Sequence, residues 1–242
     1  MAAAAVYKPQ DGERIYAVGD CHGRADLFEH LMSQLRQDSA ARSPMATKII
    51  VLGDVIDRGA QSAELVQRMM RYNRASDRFL VLLGNHEQMM LAALGGDLGA
   101  LAAWMKIGGD QTLRSWGVPC EALGADGRTL LTVARAQVPA EVLHWMESLP
   151  LWHLSGSILF VHAGIKPGLP LAHQEPHDLL WIRNKFLTSD KRHPQLVVHG
   201  HSICEQGPDI RPNRIGIDTG AVTTGRLTAV GFEGDARWFL HT

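Results

Sequence analysis

Five short segments constrain this chain more than any other feature of its 242 residues. They read GDCHGR (19–24), GDVIDRG (53–59), GNHE (84–87), VHAG (161–164) and HGHS (199–202). Each sets Asp, Asn or His beside glycine, and each follows an apolar, β-branched run: IYAV, KIIVL, FLVLL, ILF and LVV. Such runs are the composition of buried strands, and glycine permits the tight turn that follows. The polar side chains are therefore delivered from strand tips into loops, where open α/β sheets bind their ligands.

The intervening residues fit that frame. Leu27, Phe28, Leu31, Met32 and Leu35 have helical spacing, so a helix over 25–37 packs back on the sheet. A strand over 48–52, a helix over 62–74 and a strand over 79–83 repeat the unit. This alternation predicts βαβ units and a mainly parallel sheet. Residues 88–149 differ, being rich in Ala, Leu and Met and broken by Gly95-Gly96, Gly99 and Gly108-Gly109. They read as short helices forming a cap or wall beside the site, with Trp104, Trp116 and Trp145 as packing. Later strands are expected at 158–161, 196–198, 215–217, 226–231 and 236–240, with a loop marked by Pro167, Pro170 and Pro176. Residues 1–13 read as a flexible tail, and 14–242 as one domain carrying the helical insertion.

Charge excludes some function classes. A formal net charge of −1 offers no basic surface for nucleic acid or membrane. Arg68, Arg71, Arg74 and Arg78 share one helical face and read as a solvated exterior. Cys21, Cys120 and Cys204 form no pair, and Cys21 and Cys204 read as small apolar fillers. The alanine-rich start lacks a basic n-region, and no apolar stretch approaches the roughly 20 residues that span a bilayer. The chain is expected to be cytoplasmic.

The five segments together point to phosphate chemistry. Two divalent cations about 3.5–4 Å apart can share one carboxylate and one water, whose pKa they lower. Asp20 and His22 come from the first loop, Asp54 from the second and Asn85 from the third. His162 follows, then His199 and His201. One cation is expected to take Asp20, His22 and Asp54. The other takes Asp54, Asn85, His162 and one of the last two histidines, with Asp54 as the bridge. Mixed oxygen and imidazole donors suit manganese first, with iron, zinc, cobalt or nickel also acceptable. His86 adjoins Asn85 and can protonate a leaving oxygen, Asp57 can orient it, and Arg58 can grip two phosphate oxygens. His30, His144, His153, His173, His177, His193 and His241 have no such setting and read as surface or supporting groups.

With these residues placed, the sequence resembles the calcineurin-like metallophosphoesterases. Within them it is similar to the phosphoprotein phosphatase branch, whose signature is GDxHG, GDxxDRG, GNHE. GNHEQMM (84–90), LLWIR (179–183) and IDTGAV (217–222) narrow the likeness to bacterial and phage lambda-type serine/threonine phosphatases. The resemblance covers about 15–230. It implies an α/β fold with a central β-sandwich flanked by helices. It also implies metal ligands at Asp20, His22, Asp54, Asn85, His162 and, in place of His199, His201. His86 then matches the proton donor and Asp57 its partner, while Arg58, Arg183 and Asn85 contact the phosphoryl group. The implied activity is hydrolysis of a phosphoprotein or small phosphoester by a hydroxide bridging two cations, with attack in line on phosphorus. Two departures matter. Leu83 stands where some lambda-type members carry arginine. VHAG also resembles the symmetrical diadenosine tetraphosphate hydrolases, which makes a nucleotide substrate the alternative. Those enzymes tend to read GNHD, where this chain has Glu87, and carry a longer insertion before the last histidine motif. Both points set the protein phosphatase first.

Overall fold

The computed structural model describes residues 7–242 of the chain. Alternation along the strands decides how its layers stack. Strand β1 (Glu13–Val18) turns Ile15 and Ala17 to one side and Tyr16 and Val18 to the other. Ile15 and Ala17 join Ile50, Leu52, Phe160, Val198, Ile215 and Phe232 in one buried cluster. These residues come from two sheets, so the cluster is the interior of a sandwich.

The first sheet contains β1, β2 (Ala46–Val51), β3 (Phe79–Val81), β9 (Thr228–Glu233) and β10 (Ala236–His241), in the order β10-β9-β1-β2-β3. The second contains β4 (Trp152–Ser155), β5 (Ile158–Val161), β6 (Leu196–His199), β7 (Asp209–Ile210) and β8 (Arg214–Gly216), in the order β4-β5-β6-β8-β7. β1, β2 and β3 run parallel, as do β5, β6 and β8. The expected mainly parallel sheet is corrected to two mixed sheets. β9 and β10 are joined only by Gly234 and Asp235, and β4 and β5 only by Gly156 and Ser157. Links that short permit an antiparallel hairpin and no crossover.

Helices cover both outer faces. α1 (Ala25–Ala40) buries Phe28, Leu31, Met32 and Leu35, and α2 (Ser62–Ala75) buries Leu65, Val66 and Met69. Both pack with Tyr16, Val18 and Val51 on the back of the first sheet. The same cluster takes in the expected helical insertion. That stretch holds α3 (Asn85–Gly95), α4 (Leu98–Trp104), a kinked turn at Met105–Gly109 that breaks at Gly108, and α5 (Asp110–Ser115). It continues through α6 (Cys120–Leu123), α7 (Gly127–Gln137) and α8 (Ala140–Glu147). Leu94, Leu101, Trp104, Leu113, Leu130 and Trp145 bind it to the common core. α3 stops at Gly96, whose φ of 118° lies where a Cβ is disfavoured. The back of the second sheet is closed by Leu179 of α9 (Pro176–Trp181) and Phe186 of α10 (Asn184–Leu187). A short α11 (Ala221–Thr224) precedes β9.

Residues 7–12, expected within a flexible tail, are hydrogen-bonded to the β4–β5 turn. Lys8 N donates to Ser157 Oγ at 2.9 Å and Gln10 N to Ser155 Oγ at 2.9 Å. Gly156 makes this approach possible, since a Cβ there would lie 2.4 Å from the Lys8 carbonyl. Residues 1–6, also assigned to the tail, lie outside the described residues. Arg68 pairs with Glu29 and Glu64, and Arg74 with Glu141, as a solvated helix exterior requires. Among the described residues no helix is long and apolar enough to cross a membrane.

Candidate active site

The loops after β1, β2, β3, β5 and β6 carry the five glycine-flanked segments. Their backbone is unusual. Among the described residues, five non-glycine residues have positive φ: His22 (45°), Asp54 (47°), Asp57 (74°), Arg58 (66°) and His201 (61°). All five were singled out from the sequence. Each such residue costs on the order of 1–3 kcal/mol and persists only where its surroundings over-determine it.

Those surroundings are visible. Glu87, fully buried in the first turn of α3, accepts four backbone N–H groups. They are Gly84 (3.0 Å), Asp54 (2.9 Å), Val55 (2.8 Å) and Ile56 (3.2 Å). Cys21 N and His22 N both donate to the Asp54 carbonyl, at 3.1 and 2.9 Å. Close approach excludes side chains at two glycines. A Cβ on Gly84 would lie 2.3 Å from Asp54 Oδ1, and one on Gly200 would lie 2.0 Å from Asp20 Oδ1.

The ring protons are assigned by their partners. His22 Nδ1–H donates to the Ile56 carbonyl and His162 Nδ1–H to the Leu52 carbonyl, each at 2.8 Å. His22 Nε2 then lies 3.7 Å from Asp54 Oδ2, and His162 Nε2 lies 3.4 Å from Asp54 Oδ1. Burial holds these rings neutral: it pushes His22 down to about 3 and His201 to about 2, and lowers His162. Asn85 Oδ1 sits 2.8 Å from both His162 Nε2 and His201 Nδ1. With the His162 proton committed to Leu52, Asn85 Oδ1 and His162 Nε2 turn electron pairs toward each other. Such a pair repels unless a cation shares it. Asp20 Oδ1 and His201 Nε2 are buried without a hydrogen-bond partner among the described residues. Burial, then the charges of Asp218 and Asp54, push the Asp20 carboxyl well up, as expected of a carboxylate whose counter-ion is not a side chain. Asp54 belongs to two donor groups, one with His22 and His86 and one with His162 and His201, each with ligand atoms within 4.8 Å of one another. Carboxylate, amide and imidazole donors in this arrangement fit two divalent cations meeting at Asp54.

His86 and Asp57 form a buried pair, with His86 Nδ1–H donating to Asp57 Oδ2 at 2.6 Å. Burial opposes charge on His86, but the Asp54 and Asp57 carboxylates outweigh it and raise its pKa. Arg58 Nη2 lies 3.2 Å from His86 Nε2, a contact in which the guanidinium donates and the ring accepts. Arg58 and Arg183 are both exposed. Arg183 sits at the start of α10, close enough that its charge helps depress His162 and His201.

The structure adds three residues that sequence reasoning missed. Trp104 Nε1 donates to Asp57 Oδ2 at 2.8 Å, and Thr112 Oγ1 donates to Asp57 Oδ1 at 2.6 Å. Trp104 reads as packing from sequence, and its fully buried ring does pack, but its N–H also serves the site. Nothing in the sequence marks Thr112. The third residue is Asp218, 3 % exposed, whose carboxyl is pushed up to about 6 by burial and by Asp54. A signal for it existed: Asp218 and Gly220 follow the apolar β8 run, the pattern that marked the other loops. His199 lies outside both donor groups. Alternation along β6 turns it with Val197 toward Phe186, whose ring centroid is 5.2 Å away. Cys21 is a buried filler, its Sγ donating weakly to the Gly19 carbonyl.

The calcineurin-like phosphoesterase family model matches residues 13–215, and the chain belongs to that family. A curated relative from Aromatoleum aromaticum, the symmetrical bis(5'-nucleosyl)-tetraphosphatase, is 31% identical over 159 residues, covering 64% of this chain and 45% of the relative. The chain thus spans about half the length of the curated relatives it matches. A solved structure described as a proposed diadenosine tetraphosphatase superposes with a TM-score of 0.66 at 20% identity, over 98% of this chain and 96% of the other. A cold-active protein tyrosine phosphatase gives 0.60 at 18% identity, over 96% of this chain and 81% of that one. These structures share the α/β phosphoesterase fold of two mixed sheets flanked by helices. The family expectation therefore holds. The curated relatives carry the name that sequence reasoning ranked second, behind the lambda-type serine/threonine phosphatases.

Proposed function

We propose that this chain hydrolyses a phosphoanhydride bond of a dinucleoside tetraphosphate, cutting it symmetrically into two nucleoside diphosphates. The name of the aligned curated relatives carries this reading, and the two donor groups meeting at Asp54 support the chemistry, with the unpartnered Asp20 Oδ1 taken as ligand in place of His86, which is paired with Asp57. Glu87, which had favoured a protein phosphatase, faces the backbone of the β2 loop. Its identity reflects how that loop is anchored, and it carries little weight on substrate.

Asp20, His22 and Asp54 would hold one ion, and Asp54, Asn85, His162 and His201 the other, with manganese the first candidate. Bound there, divalent ions neutralise phosphate charge and make water nucleophilic at neutral pH. The chain's own residues do the rest. Arg58 and Arg183, exposed at the mouth, grip phosphoryl oxygens through forked N–H donors. Once a phosphoryl group draws Arg58 away, His86 Nε2 takes up a proton from water, which the Asp54 and Asp57 carboxylates favour, and faces the leaving oxygen. The bond from phosphorus to that oxygen breaks, its electron pair stays on the oxygen, and His86 supplies a proton. Asp57 holds the Nδ1 side of the ring throughout. A leaving phosphate is a weak base, with a pKa near about 6, so it needs this proton less than an alkoxide does.

The test is a side-by-side rate comparison of manganese-loaded protein on diadenosine tetraphosphate, a phosphoserine peptide and p-nitrophenyl phosphate, with nucleotide products separated by chromatography. The dinucleotide should give the highest kcat/KM and ADP as its nucleotide product. Faster turnover of the peptide, or release of ATP with AMP, overturns the proposal.

A further inference from the structure

The β2 loop does not hold Asp57 alone. Its carboxylate accepts three side-chain donors, and two of them, Trp104 and Thr112, come from the helical stretch that follows α3. Thr112 makes a closed exchange: its hydroxyl accepts from Asp57 N at 2.9 Å and donates to Asp57 Oδ1 at 2.6 Å. Backbone and carboxylate of one residue are thus fixed by a single hydroxyl. Ser62 Oγ accepts from the same Asp57 N at 3.1 Å and binds the Thr112 hydroxyl at 3.2 Å. Asp57, Trp104, Thr112 and Ser62 are all fully buried.

The helical stretch is shaped for this contact. Eight residues along an unbroken α-helix would leave Trp104 and Thr112 about 80° apart around the axis. The helix breaks between them at Gly108, whose φ is 112°, and the break turns both toward Asp57. Gly109 lets the Trp104 ring seat, since a Cβ there would lie 2.6 Å from the indole. The Gly108 carbonyl accepts from Arg58 N at 3.3 Å, so the same turn also braces the neighbouring phosphate-gripping residue. A purely packing wall would not direct an indole N–H and a hydroxyl onto one buried carboxylate.

We propose that Trp104 and Thr112 are positioning residues for the Asp57–His86 pair, so that the helical stretch fixes the direction from which His86 delivers its proton. This rests on the reading of His86 as the proton donor.

The experiment uses the 242-residue chain, labelled with 15N-histidine and loaded with diamagnetic zinc, and aryl phosphate kinetics on the manganese-loaded form. Wild type should show a downfield ring N–H resonance that His86→Asn removes. Thr112→Ser should keep it, while Thr112→Val and Trp104→Phe should lose it or move it upfield. In kinetics, Thr112→Val should slow phenyl phosphate about tenfold more than p-nitrophenyl phosphate, whose better leaving group needs less help. Thr112→Ser should restore the wild-type ratio. Should Thr112→Val fail to fold, Trp104→Phe carries the same comparison with the ring volume kept. An unmoved resonance in the folded variants, no such resonance in wild type, or equal slowing of both substrates overturns the inference. His86→Asn separates the two failures. If it also slows both substrates equally, proton delivery by His86 is itself wrong. If it discriminates and the Thr112 and Trp104 variants do not, only the positioning role falls.

Discussion

The loop after β2 and the segment from Gly164 to Glu175 differ sharply in how they are held. Residues 54–59 receive Glu87 on three consecutive N–H groups, Thr112 and Ser62 on the next, and the Gly108 carbonyl after that. Residues 166–174 are held by short backbone turns at Leu169, His173 and Gln174 and by the Gln174 amide, bonded to Lys166 N and O and to the Leu169 carbonyl. The first loop carries residues proposed to touch reacting atoms, where a small displacement is costly. The second is exposed at Gly168, Pro170, Ala172, His173 and Glu175 and leads into α9 and Arg183, where substrate features beyond the phosphate would be met. The reaction is thus fixed more tightly than the choice of substrate.

Substitutions test this contrast, and the largest effect should come from its centre. Asp54→Asn should bring turnover of any phosphoester to background and lower the ion content found by elemental analysis. Retention of both would remove Asp54 as the shared ligand. His86→Asn should cost about 10²–10⁴-fold in kcat on an aryl monoester and less on a dinucleotide. Equal losses would deny its role as proton donor. Glu87→Gln replaces a carboxylate that takes four N–H groups, so thermal denaturation should show about 1.5–3 kcal/mol of lost stability. Glu87→Asp, made alongside, should leave the ratio of dinucleotide to monoester rates unchanged. A switch of preference would return Glu87 to substrate choice. Gln174→Ala should be the mildest, under about 1 kcal/mol in stability, with KM moving more than kcat. A kcat loss as large as that of His86→Asn would erase the distinction between the two segments.

Sequence reasoning reached the ligand loops because each is a local pattern. Glycine, a polar residue and a preceding apolar run lie within ten residues and owe their form to tight backbone contacts such as Gly84 on Asp54. The same logic could have reached Asp218. Strand direction was harder, because β4 and β7 are short and partly exposed and carry little periodicity. The hairpin between β9 and β10 was legible in its Gly234-Asp235 turn but was overridden by the βαβ rhythm of the first half. Thr112 was out of reach. It lies 55 residues from Asp57, and its contact exists only once the helix break at Gly108 has turned it onto a carboxylate from another element.

Asp20, His22, Asp54 and Asn85 follow strands of one sheet, whereas His162 and His201 follow strands of the other. A cation gripped by both sets would rivet the two halves of the sandwich at the rim, where their shared apolar interior gives out. Anything that binds only the native state adds stability by mass action, about 2.7 kcal/mol at a hundredfold excess over its dissociation constant. Metal supply would therefore set the protein's melting temperature and its resistance to proteolysis as well as its rate. Scarcity would be felt as shortened lifetime alongside slower turnover.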